Sequence, residues 1–573
     1  MKLNASKPGT FFVMAVLISA ASLLSPKFSD AAVTKTEMIP MRDGVRLATE
    51  ILLPDESGKK RPAVLIRTPY GRDMIAKLAG PLLGMGNDFV WVIQDTRGRF
   101  DSEGRSSSFI DDAFDGYETI EWLAAQPWSN GKIGTGGISA MGITQYVMHK
   151  TRPPHLTCQH VMAASPNLYE DAAYQGGGVR RALMIGWLAG NNFPTYVLEL
   201  MFSNVDYGGL WELTDLFPDV HKVNVPIMHM AGWYDMFLKG NLDAFTAIQE
   251  KGDDGARGKQ RLVIGPWTHG GFAGLAGLKQ GELTYPGNSR YDIFTKITKW
   301  FDECLNGRSH GFMKGPAVRY YVMGDPEDES APGNEWREAD SWPVPAEITP
   351  YYFHKDGTLS AAKPALSDAS LSLVDDPASP VPTIGGANLI LPAGPYDQRP
   401  VEKREDVLVF STPVLEEPLE ITGPIESVIY FTTDVVDTDF TVRLTDVYPD
   451  GRSMLLTDGI ARASHMEGRD HRIHLEPGKT YKIAVDLWAT SIIINKGHRI
   501  RVSVSGTNFP RFDVNMHNGR YFDLQPGEID RAIETGLKEY AGKPDLADDA
   551  KAANVTVHLD AEKGSHILLP VVK

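Results

Sequence analysis

The segment Gly136-Gly137-Ile138-Ser139-Ala140-Met141-Gly142 constrains this chain more than any other. It follows a short apolar run, Lys132-Ile133-Gly134-Thr135, and precedes a stretch able to form a helix from near Thr144. A serine on a strand-to-helix corner has its hydroxyl lifted out of the sheet, beside the free N–H groups of the helix start, as an acylating nucleophile requires. The usual elbow is G-x-S-x-G, whereas here the far glycine, Gly142, lies three positions after the serine. Read alone, the segment also fits a glycine-rich turn with a bystander serine; read as an elbow, it predicts a serine hydrolase with Ser139 as nucleophile.

Two later segments carry the remaining chemistry in the order nucleophile, acid, base. Val225-Pro226-Ile227-Met228-His229-Met230-Ala231-Gly232-Trp233-Tyr234-Asp235 is an apolar strand that delivers Asp235 at its C-terminal end, where open α/β sheets place functional groups. Arg261-Leu262-Val263-Ile264-Gly265-Pro266-Trp267-Thr268-His269-Gly270 is another short strand with His269 on the loop beyond it. A serine hydroxyl must lose its proton to a neutral imidazole, and a carboxylate must fix that imidazole's tautomer. Asp235 and His269 are the expected acid and base. Singly, each is also read as a turn cap or a satisfied polar group.

At this point the chain resembles the CocE/NonD hydrolases, the group that includes cocaine esterase, α-amino acid ester hydrolases, glutaryl acylases and X-Pro dipeptidyl peptidases of the S15 type. The resemblance spans nearly the whole chain after its first residues. It is carried by Arg67-Thr68-Pro69-Tyr70, Gln94-Asp95-Thr96-Arg97-Gly98, Ser102-Glu103-Gly104, Gly137 to Gly142, Gly232-Trp233-Tyr234-Asp235 and Gly265-Pro266-Trp267-Thr268-His269. Pro382-Thr383-Ile384-Gly385-Gly386, Gly394-Pro395-Tyr396-Asp397-Gln398-Arg399 and Gly497-His498-Arg499-Ile500-Arg501 add to it. The resemblance implies that the Tyr70 phenol and the backbone N–H of residue 140 form the oxyanion hole, where each such donor is worth roughly 3 kcal/mol of barrier. The family commonly has tyrosine after the nucleophile and this chain has Ala140, which keeps the N–H while reshaping the acyl pocket.

The expected fold is an α/β-hydrolase core with an inserted helical cap, followed by a C-terminal all-β jelly-roll domain. A hairpin at Arg42-Asp43-Gly44, strands at Val64–Ile66 and Phe89–Ile93 and a helix from Gly116 to Ala125 set the βαβ rhythm. It stops between Asn167 and Asn224, where helical pieces at Val179–Ala189 and Tyr196–Ser203 read as the cap. After Pro345 short alternating segments take over, at Ser427–Thr432, Phe440–Val447, Lys482–Leu487 and Arg499–Val504, and the resemblance makes them a jelly roll. Residues 375–400 read as an ordered crossing loop. The boundaries are thus 1–31 signal peptide, 32–166 and 225–345 core, 167–224 cap and 346–573 jelly roll.

A chain of 573 residues exceeds one core, and a net charge of -16 disfavours nucleic-acid and anionic-membrane partners. Lys2 and Lys7 precede the apolar run Phe11–Leu24, and Ser29-Asp30-Ala31 fits a signal peptidase site, so export with cleavage after Ala31 and a periplasmic or secreted product are expected. The two cysteines, Cys158 and Cys304, give no disulfide framework; an oxidising compartment permits one bridge between them, and two buried free thiols are the favoured reading.

Other motifs favour bland readings. Asp111-Asp112-Ala113-Phe114-Asp115-Gly116 reads as helix capping in preference to a calcium loop, because Ala113 and Trp122 occupy ligand positions. Asp434, Asp437 and Asp439 read as solvated strand ends, and Arg97 as the partner of Asp95 in a buried ion pair. No metal or organic cofactor is implied. The partner expected is a small-molecule ester or amide. An acyl esterase leads; X-Pro dipeptidyl-peptidase-like or glutaryl/β-lactam acylase activity is the alternative, and a non-catalytic glycan-binding protein is disfavoured by the intact Ser, Asp, His and Tyr set. The residues after Asp235, Met236-Phe237-Leu238, offer no carboxylate to a substrate ammonium, and Glu170 and Asp171 read as solvated or capping groups.

Overall fold

The computed structural model describes residues 33–79, 88–520, 544 and 546–573; the expected signal peptide lies outside them. Among the described residues, ten strands form one sheet: β1 (Val33–Pro40), β2 (Arg46–Leu53), β3 (Arg61–Thr68), β4 (Val90–Asp95), β5 (Ser129–Ile138), β6 (Leu156–Met162), β7 (Ile227–Tyr234), β8 (Arg261–Thr268), β9 (Val318–Val322) and β10 (Glu335–Ala339). Their spatial order is β1-β2-β4-β3-β5-β6-β7-β8-β9-β10. The strands from β4 across to β9 run parallel, and β1, β2 and β10 are antiparallel at the edges. Strands covered on both faces need apolar residues throughout, and β3, β4, β7 and β8 are buried along their whole length.

Helices α1 (Arg72–Ala79), α2 (Asp112–Ala124), α3 (Ala140–Met148), α4 (Arg181–Gly190), α5 (Thr195–Phe202), α6 (Leu238–Lys251) and α7 (Ile293–Phe301) include the connections of the sheet and the cap. Helices α4 and α5 fall where the cap's helical pieces are expected. Helix α3 starts at Ala140, four residues before the expected Thr144. Gly142 sits in its first turn, where a Cβ would stand 2.5 Å from Ala164 Cβ. No helix among the described residues is long and apolar enough to cross a membrane.

Beyond residue 346 the chain forms a seven-stranded and a four-stranded antiparallel sheet, the jelly-roll β-sandwich, built on long strands such as Leu419–Thr433 and Thr480–Ile494. It shares its core with the hydrolase sheet: Trp233, Tyr321 and Met323 pack in one apolar cluster with Phe353, Phe410 and Trp488. Backbone bonds from Met323 N to Ser491 O and from Ile493 N to Met323 O, both 2.9 Å, stitch the two together.

Buried charges differ from expectation in their partners. Arg97 pairs with Asp115 (2.6 Å) and Asp43 (2.6 Å), while Asp95 takes Arg72 (2.7 Å). Asp112 serves Arg67 at 2.8 Å, and Asp111 makes no side-chain capping bond to α2. Asp437 and Asp439 are buried, not solvated: Asp439 holds Arg462 through two bonds of 2.7 Å, and Asn515 donates to both carboxylates. Both cysteines are free, Cys158 buried but Cys304 only half-buried. The partner of each buried carboxylate comes from a distant segment of the chain, which neighbouring sequence does not reveal.

Three histidines lie in the core, His160 on β6, His229 on β7 and His149 just after α3. Burial lowers His149 to about 4, His160 to about 3 and His229 to about 3, from an ordinary value of 6.5. His149 contacts Gln159 at 2.5 Å, His229 contacts the Tyr146 hydroxyl at 2.7 Å, and His160 packs on Phe301. The folded chain keeps all three neutral while the unfolded chain protonates them below pH 6.5, so their stability is full above that pH and is lost as pH falls toward the depressed values. The histidine contribution is expected to fall between pH 6.5 and 4 by about 1.4 kcal/mol per pH unit for each histidine. Buried Asp112 and Asp171, whose carboxyls burial raises to about 6 and about 7, contribute in the opposite direction, and calorimetry of parent and variant separates the two. His160→Leu is expected to flatten that dependence; an unaltered slope would exclude His160 from it.

Candidate active site

Strands β5, β7 and β8 are parallel and near one another, and their C-terminal ends carry Ser139, Asp235 and His269 as the next residue in each case. The structure therefore brings the three sequence-expected residues to one edge of the sheet. All three are buried, Asp235 completely, with Ser139 9% and His269 7% exposed.

Ser139 has φ 59° and ψ -127°, a conformation that non-glycine residues rarely adopt and that serves to present a side chain at a sharp turn. Its N–H donates to Met162 O of β6 (3.0 Å), and its carbonyl accepts the N–H groups of Gly142 (2.8 Å) and Ile143 (2.9 Å), locking strand, corner and helix together. A Cβ on Gly137 would stand 2.5 Å from Met141 Cβ, and one on Gly142 2.5 Å from Ala164 Cβ. The far glycine thus still meets the close helix-to-strand approach, one position later than in the usual elbow.

Asp235 is fully buried, its Oδ1 accepting the Phe237 N–H at 2.7 Å and its Oδ2 standing 2.8 Å from His269 Nδ1. A proton on Nδ1 toward the carboxylate leaves Nε2 as the free lone pair. The His269 loop is clamped by Gln280, whose Oε1 accepts from Thr268 N (2.9 Å) and Thr268 Oγ1 (2.8 Å) and whose Nε2 donates to Gly271 O (3.2 Å). Phe237 packs edge-on against the imidazole at 6.0 Å.

Tyr70 follows β3 and is held by its own turn: its N–H donates to Thr68 Oγ1 (3.0 Å), and Arg99 Nε donates to the preceding Pro69 O (3.2 Å). Burial raises the phenol's pKa, against the opposing effect of its contacts with the Trp187 indole, the Ser139 hydroxyl and the Ala140 N–H, so it stays neutral beside the elbow. The Ala140 N–H lies beside the Tyr70 hydroxyl, next to the Ser139 corner.

A cavity of about 500 Å³ opens beside Ser139 and Ala140. Phe109, Leu183, Trp187, Met201, Trp211 and Met236 are among its walls, and none of the lining residues is charged. Leu168, Ala172 and Ala173 line it, but neither Glu170 nor Asp171 does. Asp171 is buried, not solvated; it accepts from Ser165 Oγ at 2.9 Å, and burial pushes its carboxyl up to about 7. Glu170 lies 3.6 Å from Arg469.

Sequence reasoning missed Trp187, Gln280, Arg99 and Arg180. Buried Arg180 donates to Asp171 O of the cap, to Met236 O (3.1 Å) beside Asp235, and to Ala387 O (3.4 Å) of the crossing loop. These side chains act on backbone carbonyls and hydroxyls far away in the chain, so no local spacing announces them.

Residues 310–567 match the X-Pro dipeptidyl-peptidase C-terminal non-catalytic domain, and residues 43–195 and 191–271 match the X-Pro dipeptidyl-peptidase (S15 family). The chain is 32% identical to a cocaine esterase of Rhodococcus sp. (strain MB1 Bresler), over 95% of this chain and 99% of that one. Its structure is similar to an aminopeptidase of the marine sediment archaeon Thaumarchaeota archaeon, with a TM-score of 0.79 and 24% identity over 96% and 99% of the two chains. An α-amino acid ester hydrolase gives a TM-score of 0.76 at 24% identity over 96% and 98%. At those identities the two structures establish the fold.

The contact at Gly142 generates a test of the elbow. Gly142→Ala forces its methyl against Ala164, costing about 1–3 kcal/mol. Helix α3 must shift to relieve it and takes Ser139 along. The expected outcome is a lowered thermal midpoint together with a loss of kcat larger than that stability loss explains at assay temperature; a fully active variant would show that the corner tolerates displacement.

Proposed function

Since the chain belongs to the CocE/NonD family of hydrolases and is a serine hydrolase, we propose that it is an acyl esterase acting through Ser139, His269 and Asp235, with Tyr70 and Ala140 as its oxyanion hole. The 2.8 Å contact between His269 Nδ1 and Asp235 Oδ2, at the strand end beside a strained serine corner, carries this reading. Ser139 Oγ attacks the substrate carbonyl carbon while its proton passes to His269 Nε2, and Asp235 stabilises the imidazolium. The oxyanion takes hydrogen bonds from the Tyr70 hydroxyl and the Ala140 N–H. On collapse the carbonyl carbon to leaving-oxygen bond breaks, and the alkoxide leaves with the proton from His269. Water then attacks the acyl-serine with His269 again as base, releasing the acid and restoring Ser139. Export to the periplasm or exterior belongs to the same reading and rests on the N-terminal Lys2, Lys7 and Phe11–Leu24 pattern.

The experiment is fluorophosphonate labelling of the purified protein with parallel turnover of p-nitrophenyl esters. Ser139→Ala is expected to abolish labelling and nearly all turnover while the thermal midpoint stays close to that of the parent. Retained turnover would remove Ser139 from the nucleophile's role.

The charge-free cavity sets the acyl class. Burying an ammonium there without a carboxylate costs several kcal/mol. The carboxyls of Glu170 and Asp171 are engaged elsewhere. Neutral apolar acyl esters are therefore expected to exceed matched α-ammonium esters in kcat/KM by about tenfold or more at a pH where the amine is protonated. A preference for the amino ester would overturn the neutral assignment, and cleavage of X-Pro amides in its place would favour the peptidase alternative.

A further inference from the structure

Trp187 lies on α4 of the cap, 117 residues from Tyr70 in sequence, and its indole Nε1 stands 3.1 Å from the Tyr70 hydroxyl oxygen. The two rings meet edge to face at 6.4 Å and 84°. Trp187 is held by stacking on Phe109 (5.9 Å, 19°) and by Phe193 (4.8 Å), so its N–H has a fixed direction.

The donor inventory then determines where the phenol's proton points. An indole N–H only donates, so Tyr70 oxygen is the acceptor in this bond and its own proton must go elsewhere. The Ala140 N–H beside it is also a pure donor. The Ser139 hydroxyl, also beside the phenol, is the neighbour able to accept, and it is the nucleophile of the proposed reaction. Accepting from the indole also polarises the phenol, and chained hydrogen bonds strengthen one another in a water-poor site.

We propose that Trp187 is a positioning residue for the oxyanion hole: its indole N–H orients the Tyr70 hydroxyl toward the reacting carbonyl and strengthens it as a donor. The inference rests on the oxyanion role given to Tyr70 above. It makes the cap part of the catalytic apparatus in addition to being the wall of the acyl cavity.

The test is a double-mutant cycle on the full chain with Trp187→Phe, Tyr70→Phe and the pair, using one neutral p-nitrophenyl ester. Trp187 replaced by 3-benzothienyl-L-alanine, which keeps the bicycle and lacks the N–H, separates hydrogen bonding from packing. Tyr70→Phe is expected to lower kcat by about 10² to 10³ fold with little change in KM. The benzothienyl variant is expected to lower kcat by about 3- to 10-fold with KM nearly unchanged. In the Tyr70→Phe background the same replacement should have almost no effect, because the phenol it acts through is gone. Thermal unfolding of each variant verifies that the fold persists. Equal losses in both backgrounds, no loss in either, or a change confined to KM would each overturn the inference and leave Trp187 as cavity wall. An unchanged kcat in Tyr70→Phe alone would remove the oxyanion reading and this inference with it, while fluorophosphonate labelling of Ser139 decides the nucleophile separately.

Discussion

The backbone of Ser139, at φ 59° and ψ -127°, is the constraint that organises the surrounding structure. A residue in so unfavourable a conformation persists only where its neighbours over-determine it. Here β5 and β6 are joined through Ser139 N to Met162 O, β6 and β7 through Ala163 N to Met230 O, and α3 is hung directly from the Ser139 carbonyl. The same bonds align the carboxyl ends of the central strands. Asp235 and His269 are consequently placed by the sheet, and the loops carrying them need only small clamps such as Gln280.

A second layer of order comes from buried arginines. The Arg180 guanidinium has hydrogen bonds to carbonyls from the cap, the Met236 segment and the crossing loop within the sandwich. Next to it, Arg181 pairs with Asp513 at 2.7 Å. With the shared apolar core of Trp233, Tyr321 and Trp488, these contacts make the sandwich a structural support of the cap and site.

The parts of the site that follow directly on apolar strands were legible in the sequence, because a period-free buried run fixes where a parallel strand ends. Ser139, Asp235 and His269 are of this kind. Tyr70 needed the family resemblance, since Pro-Tyr after a strand is also an ordinary turn. Pairings decided by space were not legible. Arg97 stands two residues from Asp95 yet reaches Asp115 and Asp43. Asp437 and Asp439 look like solvated strand ends until Arg462 and Asn515 converge on them from other segments. The start of α3 at Ala140, ahead of the expected Thr144, was not legible, because the close approach of Gly142 to Ala164 there is a contact in space.

Trp187 both walls the cavity and contacts the Tyr70 hydroxyl, so acyl selectivity and intrinsic rate meet in a single side chain. Leu183 and Met201 wall the same space without hydrogen-bonding groups on hydrocarbon or thioether tips, and Trp211 spends its N–H on Asn204 O. On the proposed roles, changes in acyl preference fall more readily on wall positions of this kind than on residue 187. The cap is evolvable in patches, with one position tethered to the chemistry it covers.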